Sequence, residues 1–271
     1  MSRVVLTTGA NSGIGLAVAV EIARRGHTSV ATVRNEARAI DLKEHAHAAG
    51  VDVDIALLDV TDADQCEEVI AAHQPDAIVN NAGFGLTAPM EAVSDDDARR
   101  VLETMLVAPM RLARLAIPTM RARGGGRIVN VSSILGRVTM PLTGWYQAAK
   151  HGLEAASDAL RVEVARDGIS VTLVEPGFVR TSLLDRMDDD AQRFAHHGYD
   201  RAYERAARAL GLARPFMSTP EDAAGVIANV IDARAPKARC TVGLDARWLD
   251  ATNGLVPTGV RDRLTRVGSG L

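Results

Sequence analysis

The stretch Val4-Val5-Leu6-Thr7-Thr8-Gly9-Ala10-Asn11-Ser12-Gly13-Ile14-Gly15 constrains the fold of this chain more than any other. The apolar and β-branched residues before Gly9 suit a strand covered on both faces, as in a parallel sheet. The glycines let the backbone turn tightly and approach a ligand with no Cβ in the way. A helix predicted from this loop through Ala23 aims its unpaired N–H groups and positive dipole end at that space, which suits a pyrophosphate. The spacing is Gly-x3-Gly-x-Gly and differs from the Gly-x-Gly-x-x-Gly of the general dinucleotide fingerprint. Taken alone it also fits a ligand-free turn, so the rest of the chain has to decide.

Strand and helix patterns alternate from end to end. Strands are predicted at Thr28–Val33, Asp52–Leu58, Asp76–Val79, Arg127–Val131, Ile169–Val174 and Arg239–Val242. Helices are predicted over Glu36–Ala49, Thr61–His73, from Ser94 to the Gly124-Gly125-Gly126 stop, over Gly144–Arg166, and from the Thr219-Pro220-Glu221-Asp222 cap to Ala233. No linker, repeat or low-complexity tract divides the pattern. It predicts one domain over residues 1–271, a doubly wound α/β Rossmann fold with a mainly parallel sheet of about seven strands and helices on both faces.

A net charge of -3 in 271 residues gives no reason to expect nucleic acid or an anionic membrane as partner. The most apolar long run, Met105 to Met120, is broken by Arg111 and Arg114, so no membrane span is expected. The chain enters its first strand at once, so no signal peptide is expected, and Cys66 and Cys240 form neither a metal spacing nor a disulfide framework. A cytoplasmic location is the expectation. Asp188-Asp189-Asp190 reads as a helix start and His196-His197 as a solvated pair, so no metal is expected.

Ligands of such sheets sit at the carboxyl ends of the strands. There, Asp59 is placed to accept from an adenine amino group, or equally to cap the helix that follows. After the second strand an NAD site usually carries an acid for the ribose 2′-hydroxyl, whereas this chain has Val33 and Arg34. A guanidinium there pairs with a 2′-phosphate, which points to NADP(H) over NAD(H); a solvated arginine is the alternative. Tyr146 and Lys150 stand one helical turn apart. With three tyrosines and three lysines in the chain, chance supplies only about 0.03 such pairs. Free tyrosine titrates near pH ~10, and a nearby ammonium favours the phenolate. Ser133, closing the fifth strand, offers a hydroxyl to hold a substrate oxygen beside the phenol.

Thr8-Gly9-x3-Gly13-x-Gly15, Asn80-Asn81-Ala82-Gly83, Ser133, Tyr146-x3-Lys150 and Pro176-Gly177-x3-Thr181 occur in that order. Over about residues 3–245 the chain strongly resembles the short-chain dehydrogenase/reductase family. The resemblance implies that Gly9, Ser12, Gly13, Ile14 and Gly15 line the pyrophosphate and ribose. Asp59 and Val60 would meet the adenine and Asn81 a ribose, with Ala82, Gly83, Pro176 and Gly177 also on the cofactor. Val179 and Thr181 would hold the carboxamide. Tyr146 would be general acid in reduction and base in oxidation, Ser133 would orient the carbonyl or alcohol, and Lys150 would hold the nicotinamide ribose and tune Tyr146. The resemblance further implies a homodimer or homotetramer built on the helices at 94–123 and 144–166.

One position departs from the family pattern. The usual relay asparagine in the long helix aligns with Met105, whose thioether cannot replace an amide, although its backbone carbonyl remains. Altered proton transfer is the expectation. The substrate side is expected in a lid at about 182–217, with Leu183, Leu184, Met187, Phe194, Tyr199 and Phe216, and in Leu135, Val138, Met140 and Leu142. Such a lining favours a hydrophobic ketone, aldehyde or alcohol; simple packing of an amphipathic lid explains the same residues. The tail at 245–271, with Trp248, either covers the pocket or joins a subunit interface. The expected function is NADP(H)-dependent hydride transfer. A non-enzymatic NADP(H) sensor is the competing class, supported by Met105 and opposed by the intact Ser133, Tyr146 and Lys150. An epimerase or dehydratase on the same fold is disfavoured because those relatives are usually longer.

Overall fold

The computed structural model describes residues 2–181, 186–194, 197–252 and 256–271. Its strands are Val4–Thr7 (β1), Thr28–Val33 (β2), Asp54–Leu57 (β3), Ala77–Asn80 (β4), Gly126–Val131 (β5), Ile169–Pro176 (β6) and Arg239–Val242 (β7). They form one parallel sheet in the order β3-β2-β1-β4-β5-β6-β7. The direction of strand addition reverses between β1 and β4, which opens a crevice at their carboxyl ends.

The sheet is covered by Gly13–Arg24 (α1), Glu36–Ala48 (α2), Ala63–His73 (α3), Asp95–Leu102 (α4), Ala108–Ala122 (α5) and Gly144–Glu163 (α6). After β6 come Arg186–Arg193 (α7), Asp200–Ala213 (α8) and Pro220–Asp232 (α9), and after β7 Leu244–Thr252 (α10) and Thr258–Ser269 (α11). Alternate strand residues feed opposite cores, as the pleat requires. Leu6, Ile78 and Ile128 pack toward Cys66 and Ile70 of α3 and Leu112 of α5. Val5, Val79, Val129 and Val174 pack toward Ile22 of α1 and Ile227 of α9. Each such side chain contributes about 1.5–3 kcal/mol by leaving water, so slipping a strand by one residue would forfeit both layers.

The helix boundaries follow local chemistry. Ser94 caps α4 by accepting from the Asp97 N–H at 3.2 Å, and Thr219 with Asp222 forms a reciprocal capping box on α9. Asp62, two residues before the Asp64 N–H that it accepts, caps α3, so this helix begins after Thr61. The long helix predicted from Ser94 is interrupted: Glu103–Val107 is a π turn in which the Ala108 N–H reaches back to the Glu103 carbonyl. Pro118 lies inside α5. Asp188-Asp189-Asp190 falls within α7 and not at its start; Asp190 accepts from the Thr87 N–H at 2.8 Å. A buried chain of polar side chains crosses the sheet, from Asn80 to Asn130 to Ser157, each link 2.8 Å, and locks α6 against β4 and β5. Cys66 and Cys240 are free thiols. Among the described residues no helix is long and apolar enough to cross a membrane.

Candidate active site

The glycine loop is built by close approach. Gly9 and Gly13 hold φ of +65° and +54°, which L side chains rarely adopt, and a Cβ on Gly9 would meet the Ala82 backbone at 2.9 Å. Thr8 Oγ1 accepts from the N–H groups of Asn81 and Ala82 at 2.9 and 3.0 Å. Asn81 Nδ2 donates to the carbonyls of Thr8 and Gly9 at 3.0 and 3.2 Å. Both amide hydrogens of Asn81 are thus spent on the β1 loop, a structural duty alongside the ribose contact that the motif implies. Ser12 at the N-terminus of α1 makes no side-chain cap, which leaves the first-turn N–H groups open toward the cleft.

A cleft of about 1020 Å³ runs along the strand ends. Its lining includes Gly9, Ser12, Gly13 and Ile14 from the loop, Arg34 after β2, and Asp59 and Val60 after β3. Asn81, Ala82 and Gly83 continue it after β4, then Ser133, Tyr146 and Lys150, and Pro176, Gly177, Val179 and Thr181 at the end of β6 and beyond it. Of the expected catalytic and cofactor residues, Gly15 alone lies outside the lining. A Cβ there would stand 2.3 Å from the Gly9 carbonyl and 2.5 Å from Asn81 Nδ2, so Gly15 serves loop packing.

At the adenine end, Asp59 Oδ1 accepts from the Thr61 N–H at 2.9 Å and hydroxyl at 2.7 Å. Burial raises this carboxyl, but the Thr61 bonds with the charges of Arg34 and Arg100 outweigh it and hold it below its ordinary value. Arg34 is exposed at the cleft. Arg100 of α4, whose guanidinium lies 5.1 Å from the Phe84 ring centroid, lines the cleft too. Sequence reasoning missed it because α4 is brought to β3 only by the fold.

At the other end, Ser133 closes β5 with its Oγ accepting from the Leu135 N–H at 3.1 Å. α6 brings Tyr146 and Lys150 to the same place. Lys150 is 5 % exposed, donates to the Val131 carbonyl at 2.7 Å and stands 5.8 Å from the Tyr146 ring centroid. Burial pushes the Tyr146 phenol above its ordinary value, and the hydrogen bond with Ser133 takes back only part of that. Burial likewise lowers Lys150 to about 8, opposed by Glu154. The expected downward pull of the ammonium on the phenol is therefore not what dominates in this structure. Both groups lie in the same desolvated place, and desolvation acts on each with the larger force.

Met105 lies in the π turn, 1 % exposed, with its Sδ 3.2 Å from where a Cβ on Gly83 would stand. It lines the cleft near the reacting pair. If this position limits proton transfer, Met105→Asn raises kcat about tenfold, a change worth about 1.4 kcal/mol. An unchanged kcat and pH profile would remove the position from the relay.

Of the residues expected around a substrate, Leu135 lines the cleft, whereas Val138, Met140, Leu142, Phe194, Tyr199 and Phe216 do not. Phe194 and Tyr203 are buried against Leu86, Val101 and Met105, so α7 and α8 pack on α4 as an amphipathic lid. Phe216 is 87 % exposed. Leu183, Leu184 and His196 lie outside the described residues, as does the side chain of Met187. Phe84, Leu86 and Phe178 supply the apolar lining instead. Among the described residues, Trp248 and the rest of the tail do not line the cleft. Asp245, the second residue of α10, nevertheless acts on it. Its Oδ2 accepts from the Phe178 N–H at 2.7 Å, in the space that a Cβ on Gly177 would occupy.

The family model for short chain dehydrogenases matches residues 3–192. The chain belongs to the short-chain dehydrogenase family. This short-chain dehydrogenase is 32% identical over 266 residues to the uncharacterized oxidoreductase YbbO of Escherichia coli, covering 97% of this chain and 94% of that one. It is 32% identical over 270 residues to retinol dehydrogenase 8 of Bos taurus, covering 95% and 86%. The crystal structure of a single-residue variant of the actinorhodin polyketide ketoreductase with NADPH superposes with a TM-score of 0.78 at 29% identity, covering 90% of this chain and 96% of that one. The family are oxidoreductases whose fold binds a nicotinamide cofactor. The open α1 N-terminus and the Cβ-free loop fit that cofactor's pyrophosphate.

Proposed function

We propose that this short-chain dehydrogenase transfers hydride between NADP(H) and a carbonyl or secondary alcohol carbon of a hydrophobic small molecule. The observation that carries the reading is the convergence of Ser133, Tyr146 and Lys150 on the cleft that begins at the glycine loop and Arg34. When bound, the nicotinamide supplies or accepts the hydride. Ser133 holds the substrate oxygen, Tyr146 gives it a proton in reduction and takes one in oxidation, and Lys150 holds the ribose. Burial favours the protonated phenol, the form that can give a proton. Arg34, with no acid directly after β2, supports NADP(H), as does the NADPH in the actinorhodin ketoreductase structure. Phe84, Leu86, Leu135 and Phe178 support an apolar ketone or aldehyde.

The proposal includes a homo-oligomer. α11 turns the polar Arg261, Thr265 and Ser269 partly inward and exposes Val260, Leu264 and Val267, an outward apolar stripe that supports the tail as a subunit interface. Light scattering should give two or four times 28.8 kDa; a monomer would overturn the assembly. The free Cys66 and Cys240 go with a cytoplasmic location.

NADPH oxidation against a panel of hydrophobic ketones and aldehydes tests the function. Turnover that depends on Tyr146 supports it. Tight NADPH binding with no turnover across the panel would favour the sensor.

A further inference from the structure

Behind Lys150 lies a partly buried cluster of charges that the proposed reaction does not use. Glu154 follows Lys150 by one turn of α6 and is 6 % exposed. Its Oε2 accepts from Arg239 of β7 at 3.1 Å, and its Oε1 has no hydrogen-bond partner among the described residues. The same guanidinium donates to Asp158, one turn further along α6, at 2.7 Å, and pairs with Glu175 of β6 at 3.1 Å. Glu175 is fully buried, stands 3.6 Å from Arg137, and directly precedes Pro176-Gly177. Arg161 holds the other oxygen of Asp158 at 2.6 Å. The short turn Ile134–Gly136 after Ser133 closes on the same cluster: a Cβ on Gly136 would meet Ser132 Oγ at 2.9 Å and Glu154 Cγ at 3.1 Å.

The cluster therefore joins the backbone segments that carry Ser133, Tyr146 with Lys150, and Pro176-Gly177. Burying Glu154 and Glu175 with partly exposed arginines is a poor route to stability, since apolar replacements of similar volume often do as well or better. Its placement behind the reacting pair calls for a role in the site. Toward the cleft, Lys150 is met by the Val131 carbonyl and the Tyr146 ring, neither of which carries charge. The acid whose charge acts on it is Glu154.

We propose that Glu154 is a positioning residue for the reaction: gripped by Arg239 against β6 and β7, its carboxylate keeps the buried Lys150 an ammonium beside Tyr146. Arg239 fixes where the Glu154 carboxylate lies, and Glu154 offsets part of the desolvation of the lysine. The reactive role of the Tyr146–Lys150 pair rests on the function proposed above; the electrostatic coupling does not.

The small number of lysines makes the coupling measurable. In the full chain labelled with 13C at lysine Cε, only Lys43, Lys150 and Lys237 give signals, and the one lost in Lys150→Met is assigned. Its midpoint in the unsubstituted protein is expected at about 8. Glu154→Gln should lower that midpoint by about one pH unit, because an opposing charge has gone. A merely structural role would act the other way: a loosened site admits water and raises the midpoint toward 10.5. A midpoint unchanged or raised in Glu154→Gln overturns the proposal. Should that variant fail to fold, the protein labelled with 13C at the glutamate carboxyl decides: one carboxyl signal should inflect at the Lys150 midpoint and lose that inflection in Lys150→Met, and the absence of any such signal overturns the proposal. In turnover, the alkaline limb of kcat/KM should move down with Glu154→Gln and return with Glu154→Asp. Absence of turnover in the unsubstituted protein would sink the enzymatic reading, while the lysine titration would still decide the coupling.

Discussion

Tyr146→Phe should lower kcat/KM for carbonyl reduction by about 10²- to 10⁴-fold, the range that a positioned proton donor contributes. The ring that Lys150 faces at 5.8 Å stays in place, so packing in the pocket is kept and only the hydroxyl is lost. NADPH affinity, read by fluorescence titration, should change by no more than a few-fold. That split separates an acid from a residue that merely holds the cofactor. Loss of the hydroxyl also takes a partner from Ser133, whose remaining bond is with the Leu135 N–H. Loss of turnover with unchanged NADPH binding is the expected pattern. Turnover that survives would take Tyr146 out of the acid role.

Arg34→Glu should exchange cofactor preference. The guanidinium is exposed at the cleft after β2, and under the proposed function it forms a bidentate pair with the 2′-phosphate. A hydrogen bond to a charged group contributes about 1.5–3 kcal/mol, and a glutamate adds repulsion, so NADPH affinity should fall about 10- to 100-fold or more. NADH affinity should hold or improve, because an acid here accepts from the ribose 2′-hydroxyl. Arg100 also lines this end, so some preference for NADPH should persist in Arg34→Ala. Equal affinities for NADH and NADPH in the unsubstituted protein would remove Arg34 from this role.

Much of this molecule was legible because its signals are local. The strand–loop–helix at Val4–Gly15, the serine cap on Ser94 and the Thr219–Asp222 capping box depend on neighbours within a few residues, and each formed as read. Tyr146 and Lys150 were legible for the same reason: helix periodicity alone puts them on one face. What the chain could not show by itself depends on which elements meet. Gly15 reads as a loop glycine like Gly13, yet it faces the Gly9 carbonyl and the Asn81 amide, a contact made only when β4 pairs with β1. Phe216 and Met140 read as pocket residues from their hydrophobicity, but both are exposed and outside the lining, since apolarity does not say which surface a side chain meets. The upward shift of the phenol was hidden because desolvation is a property of the assembled site, whereas the lysine charge is written in the residue itself. Arg239 and Glu175 lie far along the chain from Glu154 and come together only across β6, β7 and α6. Spacing within one element was decided by sequence; every contact between elements, and with it the electrostatics of Lys150, was decided by tertiary structure, because only packing removes water.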